Sequence, residues 1–221
     1  MKLKNSLSLY LNTGVPPEVF KEAEFEKYDK YHSEDLIQGT LKNNCKFGMS
    51  KVLTQNRYLD EHGRIQYSTI FDGLFARIET PKPFNSLLYL RRDEKDKSLS
   101  DKILFGKLDK LSFDNLRIQL DSSEFEKKFD IYASDKITAM QLLTADIMQE
   151  LIKLYNETSF EFTIKNNYIY IRFSYWKIFE TADLEKFSLD KDTLYRYYRV
   201  LKSAFNLIDR LLELLYETQY N

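Results

Sequence analysis

The stretch from about Asp190 to Tyr216 contains no Gly or Pro and places Leu194, Leu201, Ile208 and Leu215 at seven-residue steps, with Tyr197, Ala204 and Leu211 between them. Such a pattern predicts a long amphipathic helix that must cover its apolar stripe with something. Two occupants fit the stripe. A second copy would make a coiled-coil dimer, whereas a long helix packed across the chain's own sheet shows the same stripe, and the intramolecular reading is preferred. Sixteen Tyr and sixteen Phe supply large buried area on pleated surfaces.

From about Asp35 the pattern is one of short alternations: Leu36 to Leu41, Cys45 to Tyr58, Ile65 to Ile78 and Leu87 to Leu90 read as strands. Asp60-Glu61-His62-Gly63 is a hairpin connection, and Thr80-Pro81-Lys82-Pro83 ends the meander. Pro16 and Pro17 suit the first turn of a helix expected from about Glu18 to Tyr31, although its apolar positions follow the helical period only loosely. All six Gly and all four Pro occur by Gly106, so the remainder is built of uninterrupted elements. Phe129 to Ala133 reads as a strand. Asp135 and Thr144 are N-cap residues for two short helices. Phe160 to Ile164 and Tyr168 to Phe173 flank Asn166-Asn167, a pair suited to a tight hairpin turn.

These readings divide one domain, 1–221, into an N-terminal segment and helix (1–34), a mainly β region (35–133), a helical region (134–157), a β-hairpin (158–176) and the long C-terminal helix (188–218). The expected fold is α+β. Its largely antiparallel sheet of about seven strands, in a variant strongly curled, is covered by the central helices and the C-terminal helix.

Formal net charge is -1, so no global field recruits nucleic acid or anionic lipid. Tyr168, Tyr170 and Arg172 could suggest a stacking platform for single strands, but a half-buried strand explains the same alternation. Cys45 stands alone and reads as a small buried hydrophobe in a reducing compartment. With only His32 and His62 there is no metal-ligand spacing, and no Gly-rich phosphate loop or nucleophile elbow occurs, so no cofactor is expected. No run reaches the ~18–20 apolar residues of a membrane-spanning helix, and Met1 to Asn12 lacks the apolar core of a signal peptide. Two groups of residues remain as candidates for binding. Glu34, Asp35, Glu124 and Glu126 are the acidic ones, for a partner or for carboxylate chemistry. Arg91 and Arg92 open a mixed-charge run to Lys97 that reads as a solvated loop and could bind an anionic lipid headgroup.

Three segments, in order, resemble a bacterial family known as domain of unknown function 3137. They are the run from Tyr28 through Glu34-Asp35-Leu36-Ile37 to Gly39, the strand Ile70-Phe71-Asp72-Gly73-Leu74-Phe75, and Ser123 to Phe129 continued by Tyr132, Ser134-Asp135, Leu143-Thr144 and Met148. The resemblance runs from about Leu9 to the C-terminal helix and implies no established activity, so it carries over no catalytic residues. It does imply a context. Members often have a pair of transmembrane helices ahead of this region, which leads to the expectation of a cytoplasmic domain at the inner face of a membrane, anchored through a segment absent here. A non-enzymatic binding or regulatory module with a protein partner, monomeric or dimeric through the C-terminal helix, is the expected role. The family often has histidines before the Phe-x-Gly-Leu-Phe strand, where this chain has Arg64 to Thr69. The shared Gly39 and Gly73 fit close backbone approach, Asp135 a cap, and Phe71, Phe75, Phe125 and Phe129 the core. Seven strands with a terminal helix also permit a pleckstrin-like barrel.

Overall fold

The computed structural model describes residues 7–41, 44–92, 116–174 and 191–217. Its strands are β1 (Ser8–Tyr10), β2 (Lys30–Thr40), β3 (Lys46–Leu59), β4 (Ile65–Arg92), β5 (Arg117–Ile118), β6 (Phe129–Ala133) and β7 (Phe160–Ser174). Its helices are α1 (Pro17–Glu22), α2 (Ser123–Glu126), α3 (Lys136–Leu142), α4 (Ala145–Glu157) and α5 (Lys191–Glu217). The seven strands form an antiparallel sheet in the order β1-β2-β3-β4-β6-β5, with β7 along β4. The sheet is open rather than closed into a barrel.

Two strands double back on themselves. An extended chain rises about 3.3 Å per residue, which would hold Glu161 far from Arg172 on a straight strand. Instead Arg172 Nη2 lies 2.6 Å from Glu161 Oε2, the rings of Phe160 and Phe173 are 6.3 Å apart, and Ser174 N donates to Ser159 O. The reversal lies at the Asn166-Asn167 pair, where Asn166 takes φ 55 in the left-handed region that Asn tolerates. β4 pairs with both arms of this hairpin, Gly73–Glu79 against Tyr168–Ser174 and Leu87–Leu90 against Phe162–Lys165. Its own arms therefore run in opposite directions. Between them, β4 advances from Glu79 to Phe84 while β7 moves only from Tyr168 to Asn166. Pro81 and Pro83 sit in that gap, where no ladder bond is asked of them. The hairpin thus fills the centre of the sheet, with β3 beside one arm of β4 and β6 beside the other.

A central hairpin is covered on both faces, which corrects the half-buried reading of Tyr168 to Phe173. Phe160, Phe162, Ile164, Ile169, Ile171 and Phe173 face a core shared with Ile147, Leu151 and Leu154 of α4 and with Val200, Ala204, Leu207, Ile208, Leu211, Leu212 and Leu215 of α5. The C-terminal stripe is consumed inside its own molecule, and Phe205 meets Phe47 of β3 edge-on. The side chains of Leu194 and Tyr197 lie outside the described residues. Asp135 caps α3 by accepting from Ile137 N, and Thr144 caps α4 by accepting from Ile147 N. Gly73 is held close to the hairpin: a Cβ there would stand 2.1 Å from Phe173 O.

The N-terminal helix is shorter than its sequence suggests. α1 ends at Glu22, Glu24 takes φ 56, and β2 has begun by Lys30. Helical geometry cannot send both Phe20 and Phe25 into one cluster, whereas a broken segment buries each to 1% exposure. Leu211→Ala should lower the free energy of unfolding by about 2–5 kcal/mol in a urea titration, because the cavity opens under α4 and β4.

Candidate functional site

The second face of the sheet is covered by the N-terminal segment, which crosses the β7 hairpin like a strap. Its successive residues take up polar groups of β7. Glu22 accepts from Tyr170 Oη at 2.9 Å, Ala23 O accepts from the Thr163 hydroxyl, and Glu24 pairs with Lys165 Nζ at 2.7 Å. Glu26 accepts from both Arg172 and the Thr54 hydroxyl. Phe20 and Phe25 anchor the strap in a cluster with Phe71, Phe75, Tyr89 and Tyr170.

Arg172 stands at the centre of this layer with its side chain 6% exposed. Phe25 and Phe71 place their rings 4.8 and 5.0 Å from the guanidinium carbon, and Glu161 takes Nε at 2.9 Å and Nη2 at 2.6 Å. Burial alone would lower the guanidinium pKa, but Glu161 and Glu26 outweigh it and raise the value. Burial, then Glu161, pushes the Tyr89 phenol upward. The ladder continues the alternation, since Arg91 lies opposite Asp130 and Asp130 accepts from Arg117 at 2.5 Å. Opposite charges therefore alternate on this face in two groups, Glu26, Arg172 and Glu161 in one and Arg91, Asp130 and Arg117 in the other. Chemically the first group is a clamp: Arg172 is held between two carboxylates and is committed to fixing the strap.

The residues expected to form a site are distributed otherwise. Glu34 lies on β2, where hydrogen bonds from Lys51 and then His32 hold its carboxyl below the usual range. Asp35 is exposed at φ 58 in a bulge of β2. Glu124 is exposed on α2, and Glu126 accepts from Leu120 N at 2.7 Å, next to β6 and so several strands away from β2. The four carboxylates are not brought together. Arg91 and Arg92 part as well: Arg91 is buried opposite Asp130, while Arg92 turns to the helix face with its guanidinium carbon 5.0 Å from the centre of the Tyr155 ring. Both are strand residues, and the rest of the charged run, 93–97, lies outside the described residues. Cys45 is buried, which raises its thiol pKa.

A cleft of about 330 Å³ opens beside the start of the strap. Its floor is Gly48, where a Cβ would find its nearest neighbour, Leu36, at 3.7 Å, so the missing side chain leaves the hollow. Val15, Pro16 and Val19 form an apolar wall, and Arg77 and Glu79 supply charge. Arg77 is oriented by the Tyr168 ring at 4.6 Å and by Glu22 at 3.8 Å. Such a lining can hold one apolar side chain together with a polar group. Among the described residues no group of three metal-ligating side chains occurs, and no helix is long and apolar enough to cross a membrane.

The charged clamp could have been found from the sequence. Glu161 and Arg172 are equally far from the Asn166-Asn167 turn, so the hairpin itself sets them opposite one another. Arg172→Met should cost about 3–5 kcal/mol in chemical denaturation, because it strands two buried carboxylates. A second test lies in Tyr31, whose hydroxyl donates to Val15 O at 2.7 Å and whose pKa is pushed up to about 12, chiefly by burial. The folded value exceeds the ordinary 10.0, so its contribution is complete below that pH and is lost as pH rises towards 12. The stability advantage of the wild type over Tyr31→Phe should shrink across that interval in urea titrations.

A family model described as a protein of unknown function, DUF3137, matches residues 69–212. The match takes in the segment at Phe71 to Phe75, the one at Ser123 to Met148, and both Glu161 and Arg172, while the strap and β2 precede it. No curated protein matches. One similar solved structure is the crystal structure of the mycobacterial trehalose monomycolate transport factor A, with 7% identity, a TM-score of 0.41, and coverage of 82% of this chain and 75% of that one. By the extent of the family match, this chain belongs to the DUF3137 family of proteins of unknown function.

Proposed function

We propose that this chain is a non-enzymatic binding or regulatory module that engages a protein partner, and that it works at the cytoplasmic face of a membrane to which the whole protein is anchored. The observation that carries the binding role is the β3–β4 hairpin beyond Gln55 and Thr69. β2 reaches only to the pair Lys30 and Gln55, and β7 joins β4 only from Gly73, so the outer part of the hairpin is a two-stranded ribbon. Tyr58, Leu59, Ile65 and Tyr67 are between 46% and 66% exposed on it. Leu59 faces Ile65 across the ladder, and Arg57 faces Tyr67.

A ribbon of two strands is marginal by itself, and large apolar side chains gathered on one mark an interaction surface. Tyrosine and arginine are favoured in protein interfaces. The connecting turn is charged, with Asp60 accepting from Arg64 Nε at 2.8 Å and Glu61 beside it. Burying that turn in hydrocarbon would be costly, which favours a protein surface over lipid insertion.

A photo-crosslinking side chain placed at position 59 or 65 of the membrane-anchored protein in cells should give a discrete adduct with one partner. The adduct should be absent when the probe replaces Ile137, an equally exposed apolar residue on α3, and should disappear on Tyr67→Ser. Adducts that do not differ between the ribbon and position 137 would overturn the proposal.

A further inference from the structure

We propose that Arg92 and Lys128, gathered on the ring of Tyr155, form a seat for a phosphate-type anion. Arg92 ends β4 on the helix face, Lys128 follows α2, and Tyr155 lies in the last turns of α4. The Arg92 guanidinium carbon is 5.0 Å from the ring centre and Lys128 Nζ is 4.7 Å from it. Those distances keep the two positive charges within about 10 Å of each other, each held against the same ring.

Among the described residues no carboxylate pairs with either cation, and Lys128 has only the amide oxygen of Asn156 at 3.5 Å. The nearby carboxylates are engaged elsewhere: Glu157 with Arg199 at 2.9 Å, Asp130 with Arg117 on the opposite face, and Glu126 with Leu120 N. Among the described residues Arg92 Nε finds no acceptor, which leaves the guanidinium without a protein partner for that donor. Two like charges beside one ring repel each other, and one anion with several acceptor oxygens relieves that repulsion. Arg92 and Lys128 are half-buried, so a ligand can reach them while water screens them only in part. An Arg fork beside a Lys point charge suits a phosphate, which offers oxygens to each.

The shared chemistry is a phosphate group, carried either by a small soluble molecule or by a lipid headgroup, and two titrations of the full chain distinguish these sources. In the first, inorganic phosphate is titrated while the Tyr155 ring resonances are followed by NMR. Saturable shifts are expected, with binding weakened roughly tenfold or more by Arg92→Gln and by Lys128→Gln separately. In the second, vesicles of phosphatidylcholine with and without phosphatidylglycerol are sedimented with the protein at low and high salt. Anionic vesicles that bind at low salt and lose binding in both variants identify a headgroup, and saturable phosphate binding without vesicle binding identifies a soluble ligand. Lys128→Gln alters a half-exposed side chain and leaves the fold intact, so its result stands even if Arg92→Gln perturbs packing. The proposal is overturned if phosphate shifts do not saturate, or if neither substitution weakens binding of phosphate or vesicles.

Discussion

Arg172 brings a full positive charge into a layer closed by Phe25 and Phe71, and the layer tolerates it because carboxylates arrive from two directions. Glu161 comes from the other arm of the same hairpin, and Glu26 comes from the strap. The first contact ties the hairpin to itself and the second ties the N-terminal segment to the sheet. Take either carboxylate away and the desolvated guanidinium is left under-compensated, which is far costlier than losing a surface pair. The aromatic packing of Phe20 and Phe25 depends on the strap lying where that clamp puts it.

The position of the hairpin follows from the path of β4. One arm of β4 runs beside Tyr168–Ser174, the chain turns round the hairpin tip, and the other arm returns beside Phe162–Lys165. A hairpin enclosed in this way has no free edge within β4's reach, and its two faces must both be covered. Helices α4 and α5 cover one and the strap covers the other. The result is an interior that uses its charges for structure and an exterior in which two places stand out: the bare ribbon of β3 and β4, and the cation pair at Tyr155. They lie on different parts of the sheet, so occupation of one does not require the other.

Legibility in the sequence tracked the range of the interactions. Asp135 and Thr144 announce their helices because a cap is made with a backbone N–H two or three residues away. Gly63 and Asn166 announce turns because positive φ is a local demand. The strands Lys46–Leu59 and Phe129–Ala133 and the helix Lys191–Glu217 follow from periodicity that one side of an element imposes on itself. The segment after Pro17 misleads for the opposite reason. Its Lys and Glu residues look like a solvated helical face, yet Glu22, Glu24 and Glu26 meet partners near the far end of the chain.

The amino-acid sequence by itself determined an antiparallel α+β chain with a tight hairpin at Asn166-Asn167 and a long striped C-terminal helix, since each arises from neighbours in the chain. Tertiary structure alone decided that β4 wraps that hairpin, that Arg91 and Arg92 part to opposite faces, and that Lys128 becomes the neighbour of Arg92. Alternation along a strand assigns side chains to two faces but says nothing of which element will cover each face. The second charge partner of Arg172, Glu26, and the cation pair at Tyr155 were settled when the strap and α4 docked on opposite sides of one sheet.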